Sequence, residues 1–394
     1  MKKKSTFVRA GNLCRYFFIR STNGCQTDLQ MKEFLALLFA LISPIVVFSQ
    51  KYSNEFLAIG VGAKAQGMAG AQTALCNDVT AAYWNPAGLS TMESPFQLGV
   101  QHAEWFAGIA QYDYLSFAKV LDEERHAVLA VSLIRLGIDN IPYTINLVNA
   151  DGTVNYDNVT QFSAADYALI GSFARAMKNP AFRLGGNVKV IRRVIGDLGN
   201  SWGFGTDFGV LYQKGKWSFG AMGRDITTTF NAWSFNLTDQ EKQVFEQTGN
   251  SIPESNTEIT RPRLEMGATH WVSLSPQVVL KPAVDLVVTT DGQRNVLFSS
   301  DFFNMDLRAG AEVDYKSLVQ ARVGVGNFQR LQEDFNPENK RLVAQPNFGL
   351  GLSIGKFQID YALTNIGNLA QIQYSHIFSV RMNIRQFGRF SNAN

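Results

Sequence analysis

The chain has 394 residues, of which 46% are hydrophobic and 12% aromatic, with a formal net charge of +3. Residues 1–50 hold seven lysines and arginines against Asp28 and Glu33, so the rest of the chain stands at −2. A slightly acidic body lacks the Lys/Arg surplus that neutralises phosphates, which excludes a nucleic-acid binder, and its one cysteine, Cys76, excludes an internal disulfide and reads as a small buried apolar residue.

Residues 1–30 come first and read as a spurious upstream extension from a misplaced start codon. Met31-Lys32-Glu33 then leads into an apolar run, Phe34 to Phe48, only 15 residues long and broken by Pro44. A spanning helix needs ~20 apolar residues. The basic start, the apolar core and the small residues Val47 and Ser49 fit a secretory signal peptide over 31–49, which leaves Gln50 as the new end.

Residues 50–95 have little period. Gly60 to Ala71 is rich in small residues and contains Gly62, Gly67, Met68 and Gly70. Leu75 to Tyr83 has room for a brief helix. The stretch AAYWNPAGLS, Ala81 to Ser90, follows. Pro86 fixes φ and biases Asn85 toward extended geometry, ahead of Ala87. Tyr83 and Trp84 are expected to pin this corner against inward side chains, with Gly88 supplying conformational freedom as the chain turns from plug into wall. A segment without a lipid-facing stripe has one natural place in a barrel, the lumen, so 50–95 is expected to be a luminal hatch.

From Phe96 onward the hydrophobic period is two. Met305, Leu307, Ala309, Ala311, Val313 and Tyr315 alternate with Asp306, Arg308, Gly310, Glu312 and Asp314; Phe357, Ile359, Tyr361 and Leu363 alternate with Gln358, Asp360 and Ala362. Segments of this kind recur near 96–104, 110–121, 125–137, 161–176, 181–195, 201–213, 216–225, 261–273, 277–289, 307–316, 319–328, 344–354, 356–364 and 372–384. Asn295 to Ser300 is a further short candidate. Short turns alternate with three long connections, 138–160, 226–260 and 329–343, the asymmetry of an outer-membrane barrel. Several runs reach the ~9–11 residues of a tilted membrane strand, beyond the ~5–6 usual in a soluble sandwich. Trp105, Phe106, Tyr112, Tyr114, Trp202, Phe204, Trp217, Phe219 and Trp271 stand near strand ends, where an interfacial girdle belongs. The mean hydropathy of −0.06 fits an apolar outer face averaged with a polar inner one. The expected fold is all-β, an outer-membrane β-barrel of about 14 antiparallel strands over 96–394, with the N-terminal hatch inside its lumen.

Within the central connection, Thr238-Asp239-Gln240-Glu241 is a capping box that opens a short helix toward Gln247. Thr238, Glu241 and Phe245 form a candidate partner-contact loop; the same residues also suit a plain solvated helix. Catalytic chemistry is poorly supported. His102, His126, His270 and His376 are far apart in sequence and none has a ligand-spaced partner, so no metal site is expected. The glycine clusters at 203–209 and 349–355 miss the dinucleotide fingerprint and suit inward positions of close approach. No serine sits in a nucleophile elbow, and strand carboxylates at every second position look like lumen wall. The sequence points to no catalytic residue and no cofactor.

Residues 62–71, Asn77-Asp78 and Tyr83-Trp84-Asn85-Pro86-Ala87-Gly88-Leu89 together resemble the N-terminal signature of the PorV/PorQ family of outer-membrane proteins, which in turn is similar to the FadL transporters of long-chain fatty acids. Cys76 and Asn77 depart from that signature. The resemblance implies a 14-stranded barrel with an inward-folded hatch carrying the Asn-Pro-Ala corner. It also implies a non-enzymatic role in the type IX secretion system, with secreted proteins bearing C-terminal signal domains, other secretion components and outer-membrane lipid as partners. The alternative is a FadL-like channel for a hydrophobic ligand, with an apolar pocket to which Phe56, Leu57, Met68, Leu75, Tyr83 and Trp84 contribute.

Overall fold

The computed structural model describes residues 53–384 apart from 107, 125, 148, 150–152, 334–335 and 366–373. The extension and signal peptide expected over 1–49 lie outside the described residues. Fourteen antiparallel strands make up the wall: β1 Phe96–Trp105, β2 Ala110–Asp122, β3 Ala127–Tyr143, β4 Thr160–Ala176, β5 Phe182–Ile195, β6 Gly199–Lys214, β7 Trp217–Arg224 continued by Thr229–Phe235, β8 Thr257–Thr260 continued by Arg263–His270 and Val272–Ser275, β9 Val278–Thr289, β10 Asn304–Tyr315, β11 Val319–Glu333, β12 Asn336–Ile354, β13 Phe357–Asn365 and β14 Tyr374–Ile384. Each strand pairs with the next. β14 returns to β1, with Phe96 opposite Ile384 and Glu104 opposite His376, so the sheet closes into a barrel.

The alternation in sequence becomes two faces. On β2, Tyr112, Tyr114 and Ser116 are buried while Leu115 and Phe117 are exposed. On β12, Asn347 is buried while Phe348 and Leu350 are 54% and 59% exposed. This inverts the pattern of a water-soluble protein: apolar side chains outside and polar ones inside suit a wall whose outer solvent is hydrocarbon.

Several buried inward charges stand in ion pairs, which offset the cost of their burial. Arg322 bonds Glu312 at 2.6 Å and Asp360 at 2.7 Å, Lys189 bonds Asp207 at 2.7 Å, and Arg224 bonds Glu265 at 2.6 Å.

Three expectations need correction. Trp105, Tyr112 and Tyr114 are buried on inward positions, so the exposed aromatics of that set are Phe106, Trp202, Phe204, Trp217 and Phe219. The expected connection 329–343 is largely strand, because β11 and β12 continue past the apolar band and pair Arg330 with Leu342. Likewise β3 runs to Tyr143 and β7 resumes at Thr229. Backbone ladders need no apolar side chains, so polar strand ends beyond the band escape a hydropathy pattern. The short candidate 295–300 reduces to Phe298–Ser299 beside β10.

Candidate functional site

Residues 53–95 touch inward groups on many sides of the barrel. The backbone N–H groups of Gln72 and Thr73 and the Thr73 hydroxyl all donate to Asp285 Oδ2 on β9, at 2.7–2.8 Å. Ser218 on β7 donates to the Ala74 carbonyl at 2.9 Å, and Asn187 on β5 to the Ala82 carbonyl at 2.9 Å. Gln97 on β1 accepts from the Val79 N–H at 2.9 Å, and Gln101 accepts from the Gly62 N–H. Asp78 is paired with Arg381 on β14 and lies 3.4 Å from Lys64. Burial alone would raise the Asp78 pKa, but the charges of Arg381 and Lys64 outweigh it and hold the carboxyl well below its ordinary range.

Glycines on the wall make this contact close. A Cβ at Gly220 on β7 would lie 2.1 Å from the Thr73 carbonyl oxygen, one at Gly324 on β11 would lie 2.3 Å from the Met68 carbonyl carbon, and one at Gly185 on β5 would lie 2.4 Å from the Pro86 and Ala87 backbone. Backbone cannot step aside as a flexible side chain can. The inward glycines are therefore where the inner segment's main chain meets the wall.

The sequence-singled residues fall on this segment. Tyr83 and Trp84 end the short helix Ala81–Trp84, which begins later than the expected 75–83. Their rings meet edge to face, with the Tyr83 hydroxyl donating to the Leu57 carbonyl and Trp84 Nε1 to the Val61 carbonyl at 2.8 Å. The Arg224 guanidinium lies over the Tyr83 ring at 4.3 Å. Asn85 is extended and fully buried. Its side chain donates to the Thr73 carbonyl at 2.8 Å and to the Val210 carbonyl of β6 at 3.1 Å, and accepts from the Ala87 N–H at 3.2 Å.

Asn85 is thus the N-cap of the short 3-10 helix Pro86–Thr91, with Pro86 at the first position where its missing N–H costs nothing. The corner does not itself turn the chain into the wall; the helix and residues 92–95 intervene before β1. Gly88 is needed for space rather than freedom, since a Cβ there would lie 2.4 Å from the Cys76 carbonyl oxygen. Gly62 and Gly70 have φ of 85° and 78°, a region that favours glycine. Gly67 and Met68 sit against β12 and against β10 and β11 respectively.

The short-turn end of the barrel holds a cavity of about 750 Å³, lined by apolar Leu75, Met92, Val120 and Trp271 and by polar groups including Arg183 and Gln213. Of the six residues expected to form an apolar pocket, Leu75 alone lines this cavity. Phe56, Leu57, Tyr83 and Trp84 instead pack with inward Tyr112, Tyr114 and Ile134. Met68 packs with Ala71, Leu75 and Ala283. Thr238, Glu241 and Phe245 lie elsewhere, on the loop helix Asp239–Gln247, whose capping box forms and whose Glu241 also accepts from the Tyr143 hydroxyl. Among the described residues no cluster of three His, Cys, Asp or Glu side chains is arranged for a metal.

Sequence reasoning missed Asp285, Thr73 and the Asp78–Arg381 pair. A carboxylate flanked by Val284 and Leu286 on a strand was the available sign for Asp285; its partner was not readable.

No protein-family model matches the sequence, and no curated protein is similar to it at a significant level. Solved structures are more informative. The CymD monoaromatic hydrocarbon channel has a TM-score of 0.52 at 14% identity, covering 85% of this chain and 100% of its own. The toluene transporter TodX of Pseudomonas putida has a TM-score of 0.52 at 13% identity, again covering 85% and 100%. A FadL homologue of Pseudomonas aeruginosa gives 0.50 at 12%, covering 82% and 98%. The likeness is one of fold. It covers nearly the whole of each channel and supports a FadL-like barrel, with nothing specific to the PorV/PorQ family.

Proposed function

We propose that the protein is an outer-membrane channel for small hydrophobic molecules, in which residues 53–95 act as a hatch. The observation that carries this reading is a fold shared over 85% of the chain with a monoaromatic hydrocarbon channel, together with a segment of this chain tied to the inner wall by individual hydrogen bonds. Separate polar tethers are a reversible way to hold a plug, because each can be exchanged for water, whereas a covalent staple cannot. The partly apolar cavity at the short-turn end gives a passing solute a place on the far side of the hatch. The direct test is proteoliposome uptake of a radiolabelled monoaromatic hydrocarbon, with glucose as the polar comparison. Selective uptake of the hydrocarbon above protein-free vesicles is expected; uptake equal to the empty vesicles refutes the reading.

A role in type IX secretion is the second reading, favoured by the ordered loop helix on the long-loop side, where a protein partner would have access. It requires that loss of the protein leave proteins with C-terminal signal domains unattached at the cell surface. Normal attachment in a deletion strain refutes it.

A further inference from the structure

On the outside of the barrel one row of residues crosses β1 to β6 along the direction of the ladder hydrogen bonds. Register places His102 opposite Asp113, Asp113 opposite Arg135, Arg135 opposite Tyr167, Tyr167 opposite Arg192 and Arg192 opposite Trp202. Two positions nearer the short turns, the same outward face carries exposed Val100, Leu115, Leu133, Leu169 and Phe204. The row therefore ends the apolar belt on the long-loop side. On β4 the belt's other edge is Arg175, and the eight residue steps from Tyr167 to Arg175 span about 20 Å across a tilted sheet, close to the ~25 Å apolar band of membrane barrels. On β4 to β6, Tyr167, Arg192 and Trp202 thus stand at the long-loop edge of the apolar belt.

The row's charges are not all neutralised. Asp113 takes His102 at 2.7 Å and Arg135 at 3.1 Å. Arg192 is different: it donates to Asn200 Oδ1 at 2.6 Å and lies over the exposed Trp202 ring at 4.8 Å. Among the described residues no carboxylate stands within ion-pair distance of it. A guanidinium on an aromatic platform, at the edge of hydrocarbon and without a protein anion, matches a phosphate in charge and in its forked donor geometry. At that depth the abundant anion is a lipid headgroup, whose acyl chains would lie against Leu169, Val190 and Phe204 below. Free phosphate has no such chains.

We propose that Arg192 on Trp202 binds the headgroup phosphate of a lipid in the leaflet on the long-loop side. This is independent of whether the lumen conducts. The test is native mass spectrometry of the full chain in nonionic detergent, titrated with lipid A, with the dephosphorylated glycolipid, and with inorganic phosphate as competitor. Wild type is expected to retain lipid A, and Arg192→Ala to bind it about fivefold more weakly, the effect of one basic side chain at a membrane surface. Arg192→Lys should recover part of the loss, and Arg175→Ala, at the opposite edge, should bind as wild type. Equal lipid A binding by wild type and Arg192→Ala, equal binding of the dephosphorylated lipid, an equal loss in Arg175→Ala, or displacement by millimolar inorganic phosphate each overturns the proposal. Heat-modifiable gel migration checks folding; if Arg192→Ala does not fold, Arg192→Gln, which keeps a donor for Asn200, replaces it under the same criteria.

Discussion

Asn85→Ala tests the inner segment at a fully buried side chain that makes three hydrogen bonds. The substitution removes two donors and one acceptor, leaving the Thr73 carbonyl, the Val210 carbonyl and the Ala87 N–H without those partners in a fully buried site. A neutral hydrogen bond contributes about 1 kcal/mol net, and an orphaned buried group costs about 1–3 kcal/mol. The two carbonyls each have a second lone pair, which keeps the sum near the lower end, about 3 kcal/mol. Because the Val210 bond joins segment to wall and the Thr73 bond joins two parts of the segment, the loss should fall on local opening rather than on barrel closure. About 3 kcal/mol raises the open population roughly a hundredfold. Limited proteolysis in detergent, with fragments mapped near residue 85, reads that population while cleavage is slow relative to reclosing. Faster cleavage there is expected, with unchanged heat-modifiable migration of the barrel. A cleavage rate equal to wild type refutes the tether argument, and a barrel that loses its folded migration places Asn85 in the stability of the wall instead.

Further expectations follow from the same geometry. Gly220→Leu drives a side chain into the Thr73 carbonyl and should unseat the segment. Cys76, fully buried and with its thiol pushed up in pKa by that burial, reports this: maleimide should fail to label it in the wild-type fold and should label it in the variant, and equal labelling of both refutes the close-approach argument. For Asp78, whose folded pKa lies below its unfolded one, the Arg381 contact stabilises above the ordinary carboxylate range near pH ~4 and is lost only as pH falls through the depressed folded value. Protease resistance of residues 53–95 should therefore hold from neutral to mildly acid pH and fail only in strong acid; loss near pH 6 contradicts this. Glu241→Ala breaks the capping box and should cost the loop helix about 1 kcal/mol, read as faster proteolysis within 238–250 and no change in the barrel. Because Glu241 also accepts from the Tyr143 hydroxyl, unchanged loop cleavage refutes a holding role for both contacts.

Much of the wall was legible because it is a periodic object. Met305 to Tyr315 alternates strictly, and a strand between lipid and a polar lumen admits no other pattern, so its place and both faces follow from the residues alone. The inward glycines were legible as points of close approach for the same reason. Strand ends beyond the apolar band, such as Asn336 to Lys340, were not, because ladder hydrogen bonds there carry no hydropathy signal.

The candidate site divides along a similar line. That Asn85-Pro86 makes a rigid local corner follows from the φ of proline and the capping habit of asparagine, both properties of neighbouring residues. What that corner holds was decided only by the closed barrel. Thr73 and Asp285 are 212 positions apart, and Asp78 and Arg381 are 303 apart. They meet because pairing register and closure of β14 on β1 set the height of each inward side chain along the axis. No local pattern encodes that height, since sliding a strand by two residues preserves its faces while exchanging every partner across the lumen.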